Sequence, residues 1–346
     1  MKRKFCRSLT AALLCVLMLA PSFSSCAAPR SFTHTSFDYF DTVTVITGYG
    51  MSKSDFDSTS ERITDMLEEY HRLFDIYNFY DGINNLASLN SLENGIHPTL
   101  TVDVRIMELL ELCLDLYTKT DGALNVAMGG VLSIWHKYRE EGKEIPPREL
   151  LEKAALHTDI NSIIINKDGG TVHISDPSVT LDVGAVAKGF VAEAIADTLE
   201  AEGLTGYMLN LGGNIHTVGA KRENTPWVVG IEDPNKESAP IVTVNLDNGS
   251  LVTSGSYQRY YEVDGQKLHH IIDPSTLHPA DRYLSVSVLT EDSALADGLS
   301  TALFCTDLES GLALVNAWDG VEAMWIDNDG DITYSAGFGR FLSKAS

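Results

Sequence analysis

Two hydrophobic rhythms divide the chain. From Ile63 onward, apolar residues return every three or four positions, at Met66, Leu67, Tyr70, Leu73, Phe74 and Tyr77. That spacing lines one face of a helix and predicts one running to Tyr77. Ser58-Thr59-Ser60-Glu61 has capping-box form and places the helix start. The same rhythm predicts helices over 104–117, 130–139 and 150–156. Ahead of the first helix, 37–47 (FDYFDTVTVIT) alternates with period two and reads as a strand. Beyond 160 the short period dominates. Strands are predicted at 162–166, 171–175, 179–183, 207–210, 241–246, 251–253, 259–263, 267–272 and 284–289, with two more flanking Asp329-Gly330. Helices at 185–201, 293–304 and 308–317 interrupt them. Asn248-Gly249 is a tight-turn signal that would pair 241–246 with 251–253, and Asp264-Gly265 would pair 259–263 with 267–272. Such intermixing predicts an α/β or mixed α+β fold with apolar content enough for a real core.

The first 25 residues follow neither rhythm. Lys2, Arg3, Lys4 and Arg7 precede an apolar run over 9–20, which Pro21 breaks. This is the layout of a secretory signal, and the run is too short for an ordinary membrane span. Ser24 and Ser25 lead into Cys26, as in a bacterial lipobox, although Phe23 stands where an aliphatic residue is commoner. The expectation is a signal peptide at 1–25, a lipid anchor on Cys26, a tether over 26–36 and one domain over 37–346. The protein would then sit on the extracytoplasmic side of the cell membrane. Cleavage removes four basic residues and no acidic one, taking the formal charge from −23 to −27. That acidity argues against nucleic acid or anionic lipid as a partner. An anionic substrate would need a metal or a local cation. Cys113 and Cys305 lie in apolar runs and read as buried thiols rather than a disulfide.

Three segments carry candidate chemistry. Asp297 and Thr301 are spaced i, i+4 on one helix face and are hard oxygen donors suited to Mg²⁺, although such a pair is commonly just a polar face. LDVGAVAKGF (181–190) crosses from extended chain into helix. Its Lys188 falls in the first helical turn, where a cation is misplaced unless an anion lies nearby. The bland alternative has Asp182 capping the helix and Lys188 in water. In His269-His270-Ile271-Ile272-Asp273-Pro274, alternation turns the two histidines to opposite faces, so one could act as a base while the other packs. Asp327, Asp329 and Asp331 resemble a calcium loop, but Phe338 holds the twelfth position, where a bidentate Glu belongs.

These segments, in this order, resemble the ApbE-like family of FAD:protein FMN transferases. The strongest matches are LDVGAVAKGF (181–190), NLGGNI (210–215), TSGSYQRYYEVDGQKLHHIIDP (253–274) and ADGLSTALF (296–304). Weaker ones are FDT (40–42), FYDGINNLASLN (79–90) and TDGALN (120–125). The resemblance implies FAD held in a central cleft of an α/β fold. It implies Mg²⁺ bound by the Ala185 carbonyl, Asp297 and Thr301. It puts flavin-nucleotide contacts at Phe40, Tyr80, Ala123, Leu124, Asn125, Asp182, Lys188 and Ile271, and the histidine linked to catalysis at His270. The implied reaction moves FMN from FAD to a Thr or Ser of an acceptor flavoprotein, such as a membrane redox subunit or an exported FMN-binding domain, and releases AMP. The chain departs from the family at Phe40-Asp41-Thr42, at Leu124-Asn125, and at Leu277, where the family usually has Gly after Asp-Pro-x-Thr. Two alternatives remain open at this level: a metal-dependent FAD pyrophosphatase, and a lipoprotein that binds FAD without chemistry.

Overall fold

In the computed structural model of the chain, residues 30–223 and 225–343 are described. The predicted signal peptide and Cys26 lie outside them. Eight strands form a sheet whose spatial order is the chain order: Ser31–Ser36, Thr44–Tyr49, Tyr207–Leu211, Asn214–Val218, Gly249–Gly255, Tyr283–Thr290, Glu322–Asp327 and Ile332–Tyr334. Every neighbouring pair is antiparallel. Period-two alternation sorts side chains to two faces. Val252, Val286, Val288, Ala323 and Trp325 join a core under the helices. Leu251, Leu289, Met324 and Ile326 meet a hairpin of Trp227–Asp233 and Lys236–Leu246 on the other face. The fold is therefore the expected mixed α/β class.

Between Tyr49 and Tyr207 the chain leaves the sheet and builds the helical layer: Lys53–Phe74, Val104–Lys119, Gly129–Glu141, Arg148–Ala155 and Ala187–Ala201. The Ser293–Cys305 helix is buried all round, with only Leu295 and Thr301 outside its buried set. Cys113 and Cys305 are both free and buried, as expected, and burial pushes the Cys113 thiol up to about 12.

Several local expectations give way. The stretch 37–47 is not one strand. Phe40 and Asp41 adopt left-handed φ of 55° and 49°, which breaks it into a turn ahead of Thr44–Tyr49. The expected tether over 26–36 includes the Ser31–Ser36 strand, whose SFTHTS alternation is satisfied by pairing with Thr44–Tyr49. The first helix starts earlier, on a Ser52 cap that accepts the Asp55 amide. It stops at Phe74, because Asp75 Oδ1 accepts the amides of Tyr77 and Asn78. The stretch 179–183 alternates only because Val179, Leu181 and Val183 are buried. It stays outside the sheet, clamped at Leu181 by the Asn90 side chain. The hairpin expected across Asn248-Gly249 does not form. Gly249–Gly255 pairs instead with Asn214–Val218 and Tyr283–Thr290.

The Ala187–Ala201 and Ser293–Cys305 helices are joined by two hydrogen bonds. Gly189 N–H donates to Asp297 Oδ2 (2.8 Å), and Ser293 N–H donates to Glu193 Oε2 (2.6 Å). Each helix thus supplies one amide and one carboxylate, four residues apart. Gly189 permits this approach: a Cβ there would lie 2.2 Å from Ser293 O and 2.5 Å from Asp297 Cβ. Gly189→Ala is therefore expected to destabilise the protein by about 3 kcal/mol or more in urea unfolding, since backbone cannot move aside cheaply. A loss below about 0.5 kcal/mol would contradict the contact, being the range of an ordinary surface change.

Burial, aided by Asp292, Asp197 and Glu200, pushes the Glu193 carboxyl up from 4.5 to about 7, although the Ser293 amide favours its ionised form. The folded value lies above the unfolded one. The stability this group contributes is full below pH 4.5 and is lost as pH rises through 7. Glu193→Gln should flatten that part of the decline in unfolding free energy. An unchanged pH profile would show that Glu193 does not titrate there.

Candidate functional site

The site begins at the upper hydrogen bond between the two helices. Asp297 is buried, and burial raises its carboxyl, while Lys188, the Gly189 amide and the Asn214 side chain pull it down. Lys188 Nζ lies 3.6 Å from Asp297 Oδ2 and donates to the Gly184 carbonyl (3.2 Å). The expectation that Lys188 needs a nearby anion is met by Asp297, not by water. Asp182 does not cap the helix: its Oδ1 accepts the Gly184 amide (2.9 Å), and Val186 stands at the cap without a side-chain bond. Burial raises the Asp182 carboxyl too, against Gly184, His136, Lys188 and Arg139.

Thr301 lies one turn beyond Asp297. Its Oγ1 is 3.5 Å from Ser254 Oγ, which also meets Ser300 Oγ at 2.8 Å. The Gly189 amide, spent on Asp297, leaves the Ala185 carbonyl with no described backbone donor. A buried carboxylate, a hydroxyl and a free carbonyl thus belong to two helix segments in contact. All are hard oxygen donors, and a cation would offset the burial that raises Asp297. That set fits Mg²⁺. Among the described residues no group of three His, Cys, Asp or Glu could hold a metal, so the remaining ligands would be water or substrate phosphate, as Mg²⁺ prefers.

The expected strand through both histidines ends at His269, and the two differ in their partners. His269 is structural: its Nε2–H donates to the Ala280 carbonyl (2.6 Å), and its Nδ1 accepts the Ile271 amide (3.2 Å). His270 Nδ1 is buried and meets no partner. Burial, then Arg259, His269, Arg139 and Lys188, push His270 down to about 3, so it is neutral at pH 7. A buried nitrogen without a partner costs about 1–3 kcal/mol, which a water or a ligand group would recover.

Arg139 and Arg259 were not anticipated. Arg139 Nη2 donates to His136 Nδ1 (2.9 Å), and Arg259 Nη2 donates to the Asp41 carbonyl (2.6 Å). Neither forms a described ion pair, and burial together with Arg259 lowers Arg139. In a chain of −23 charge, unpaired arginines around a neutral histidine are a local reversal of field. Arg259 sits inside a motif already singled out. Arg139 carries no sequence signal beyond its helical position.

The implied flavin contacts differ in availability. Phe40 is half-buried in a left-handed turn, its ring edge-on to His71 at 5.4 Å. Tyr80 O–H donates to Asp75 Oδ2 (2.8 Å), whereas Tyr77, exposed and ring-to-ring with His136 at 6.2 Å, feels the charge of Asp182. Ala123 is partly buried, and Leu124 is buried in the core that includes Leu299. Asn125 is committed to its own loop: Nδ2 donates to the Thr158 carbonyl and Oδ1 accepts the Ala127 amide. Ile271 is buried and accepts the Ala280 amide. At the departure from the usual glycine, Leu277 keeps a left-handed φ of 62°. Its carbonyl accepts from Trp135 Nε1 and its side chain packs in the Trp135 cluster, which offset the strain.

The ApbE family model matches residues 40–325. A FAD:protein FMN transferase of Treponema pallidum (strain Nichols) is 35% identical over 267 residues, 73% of each chain. One from Vibrio cholerae is 30% identical over 300 residues, 84% of this chain and 85% of that one. Among solved structures, the ApbE protein of Thermotoga maritima MSB8 has a TM-score of 0.81 at 26% identity, over 91% of this chain and all of that one. The flavin transferase ApbE of Vibrio cholerae has a TM-score of 0.76 at 26% identity, with the same coverage. With 286 matched positions running from Phe40 through the Asp297 helix to Trp325, the chain belongs to the ApbE family.

Proposed function

We propose that this chain is a FAD:protein FMN transferase. Relatives 30–35% identical over most of their length carry that name, and the grouping of Asp297, Lys188 and the unpartnered His270 is the observation that supports it here. The hydroxyl oxygen of an acceptor Thr or Ser attacks the flavin-side phosphorus of FAD. The P–O bond to the adenylate breaks, AMP leaves with the bridging oxygen, and FMN stays on the acceptor as a phosphoester. Such a step needs positioning and charge neutralisation more than covalent chemistry.

Lys188 and the uncapped helix start give positive potential for the pyrophosphate. Asp297, Thr301 and the Ala185 carbonyl would hold Mg²⁺, which supplies charge neutralisation on the phosphates when bound. His270 is a weak base in the free protein because it is buried, and the cations around it add to that effect. Bound pyrophosphate would offset Arg139, Arg259 and Lys188, and so raise its basicity where the hydroxyl proton must go. Phe40 and Tyr77 offer ring surface for an aromatic part of FAD. Acceptors would be flavin-bearing subunits of membrane redox complexes or exported flavoproteins. Lipidation of Cys26 would keep the enzyme beside them on the extracytoplasmic face of the membrane. Among the described residues no helix is long and apolar enough to cross a membrane. Hydrolysis of FAD to FMN and AMP would use the same groups, with water in place of the acceptor.

The test mixes purified protein, FAD, Mg²⁺ and a candidate acceptor, and reads the acceptor's mass. A gain of one FMN supports the proposal, and free FMN with an unlabelled acceptor favours hydrolysis. Asp297→Asn keeps an acceptor for the Gly189 amide, so it should fold yet lose transfer by about a hundredfold or more. His270→Ala should slow transfer while FAD binding holds. Normal turnover in either variant would remove that residue from the chemistry. Cys26→Ser should move the protein from the membrane fraction to the soluble one with activity intact, and unchanged membrane retention would refute the anchor.

A further inference from the structure

Glu193 belongs to none of the groups assigned above, yet it forms the second hydrogen bond between the two helices of the site. Its Oε2 accepts the amide of Ser293, the first residue of the helix that carries Asp297 and Thr301. Asp292 caps the same helix by accepting the Leu295 amide, so two carboxylates hold the first and third amide donors of one helix start. Four residues back from Glu193, Gly189 donates to Asp297. The two bonds run in opposite senses and fix both the spacing and the register of the helices. Asp297 sits one turn beyond Ser293, so any rotation or slip of that helix start moves its carboxylate and the Thr301 hydroxyl together.

The surroundings of Glu193 suit a fixed acceptor. His216 Nδ1 lies 3.8 Å from Glu193 Oε2 and is tied to Ser250 Oγ at 2.7 Å. Burial pushes His216 down to about 4, so it is neutral and adds no competing ion pair near pH 7. Asp292, Asp197 and Glu200 are the charged groups acting on the Glu193 carboxyl, and all are acidic. Among the described residues no Lys or Arg forms an ion pair that would draw it away from the Ser293 amide. Its natural partner in this environment is that N–H.

We propose that Glu193 is a positioning residue for FMN transfer: by holding the Ser293 amide it sets where Asp297 and Thr301 present their oxygens to the metal and the pyrophosphate. The inference rests on the function proposed above. Groups that orient metal ligands in this way are commonly worth roughly 10- to 100-fold in metal affinity or activity. Gln can accept the same amide through its carbonyl oxygen, whereas Ala cannot, and this difference separates positioning from general stability.

The experiment compares the unmodified chain with Glu193→Gln and Glu193→Ala. Melting temperature is measured without additions and with Mg²⁺ and FAD together, beside kcat and KM for transfer. Glu193→Ala should lose most of the rise caused by Mg²⁺ and FAD and drop kcat by roughly 10- to 100-fold, with Glu193→Gln restoring both. A lower melting temperature in Glu193→Ala with an undiminished rise and normal kcat would make Glu193 merely structural and overturn the proposal. Failure of Gln to restore the rise would also overturn it, because hydrogen-bond acceptance would not be the operative property. If the unmodified chain transfers no FMN, the function proposed above fails, while the melting comparison still decides the role of Glu193.

Discussion

The close approach of two helices at Gly189 is the constraint on which the rest depends. Without a side chain at that position, the Ala187–Ala201 helix lies against the backbone of the Ser293–Cys305 helix, and one amide reaches a buried carboxylate. That bond takes the Gly189 donor away from the Ala185 carbonyl and brings Lys188 to 3.6 Å from Asp297. A backbone carbonyl, a carboxylate, a hydroxyl and a lysine are thereby set by packing that would be hard to change one piece at a time. The sheet makes this possible, because Gly249–Gly255 and Tyr283–Thr290 bury the Ser293–Cys305 helix on the face where Val252, Val286 and Val288 form the floor of the core.

Electrostatics follow from the same burial. The chain is strongly acidic, and its half-buried carboxyls at Asp182 and Glu193 and its buried one at Asp297 are all raised by loss of water. Against that background burial, and after it Arg259, Arg139 and Lys188, hold His270 neutral. An acidic protein that must receive a pyrophosphate needs such a local reversal. Substrate charge would offset the part of that effect that the cations contribute, and so raise the histidine's basicity.

Much of this was legible in the sequence, for physical reasons that differ from place to place. The helices at 104–117 and 293–304 were found nearly to the residue because their apolar positions answer to one core. His269 has both ring nitrogens hydrogen-bonded and His270 Nδ1 has no partner among the described residues, a difference that alternation does not account for, because the strand ends at His269. The break at Phe40-Asp41 falls where the alternation slips, at Tyr39-Phe40 and Asp41-Thr42, and Asp41 tolerates a left-handed turn, but the regular 43–47 stretch beyond it masks the signal. Asn248-Gly249 does turn the chain, but the partners of the next strand are chosen by burial between Asn214–Val218 and Tyr283–Thr290, which no local pattern records. Gly189 was visible as a glycine in a motif, yet its purpose lies in a helix over 100 residues away. Arg139 and Glu193 were missed for the same reason: each looks like an ordinary polar position on its own helix.

Transfer and hydrolysis would draw on the same groups around Asp297 and differ in whether a protein hydroxyl or water receives FMN. The most direct measurement is the ratio of AMP released to FMN bound on the acceptor, followed in one reaction with FAD and Mg²⁺. A transferase releases equal amounts of the two, with little free FMN. AMP accumulating with free FMN while the acceptor stays unlabelled would contradict the proposed transfer.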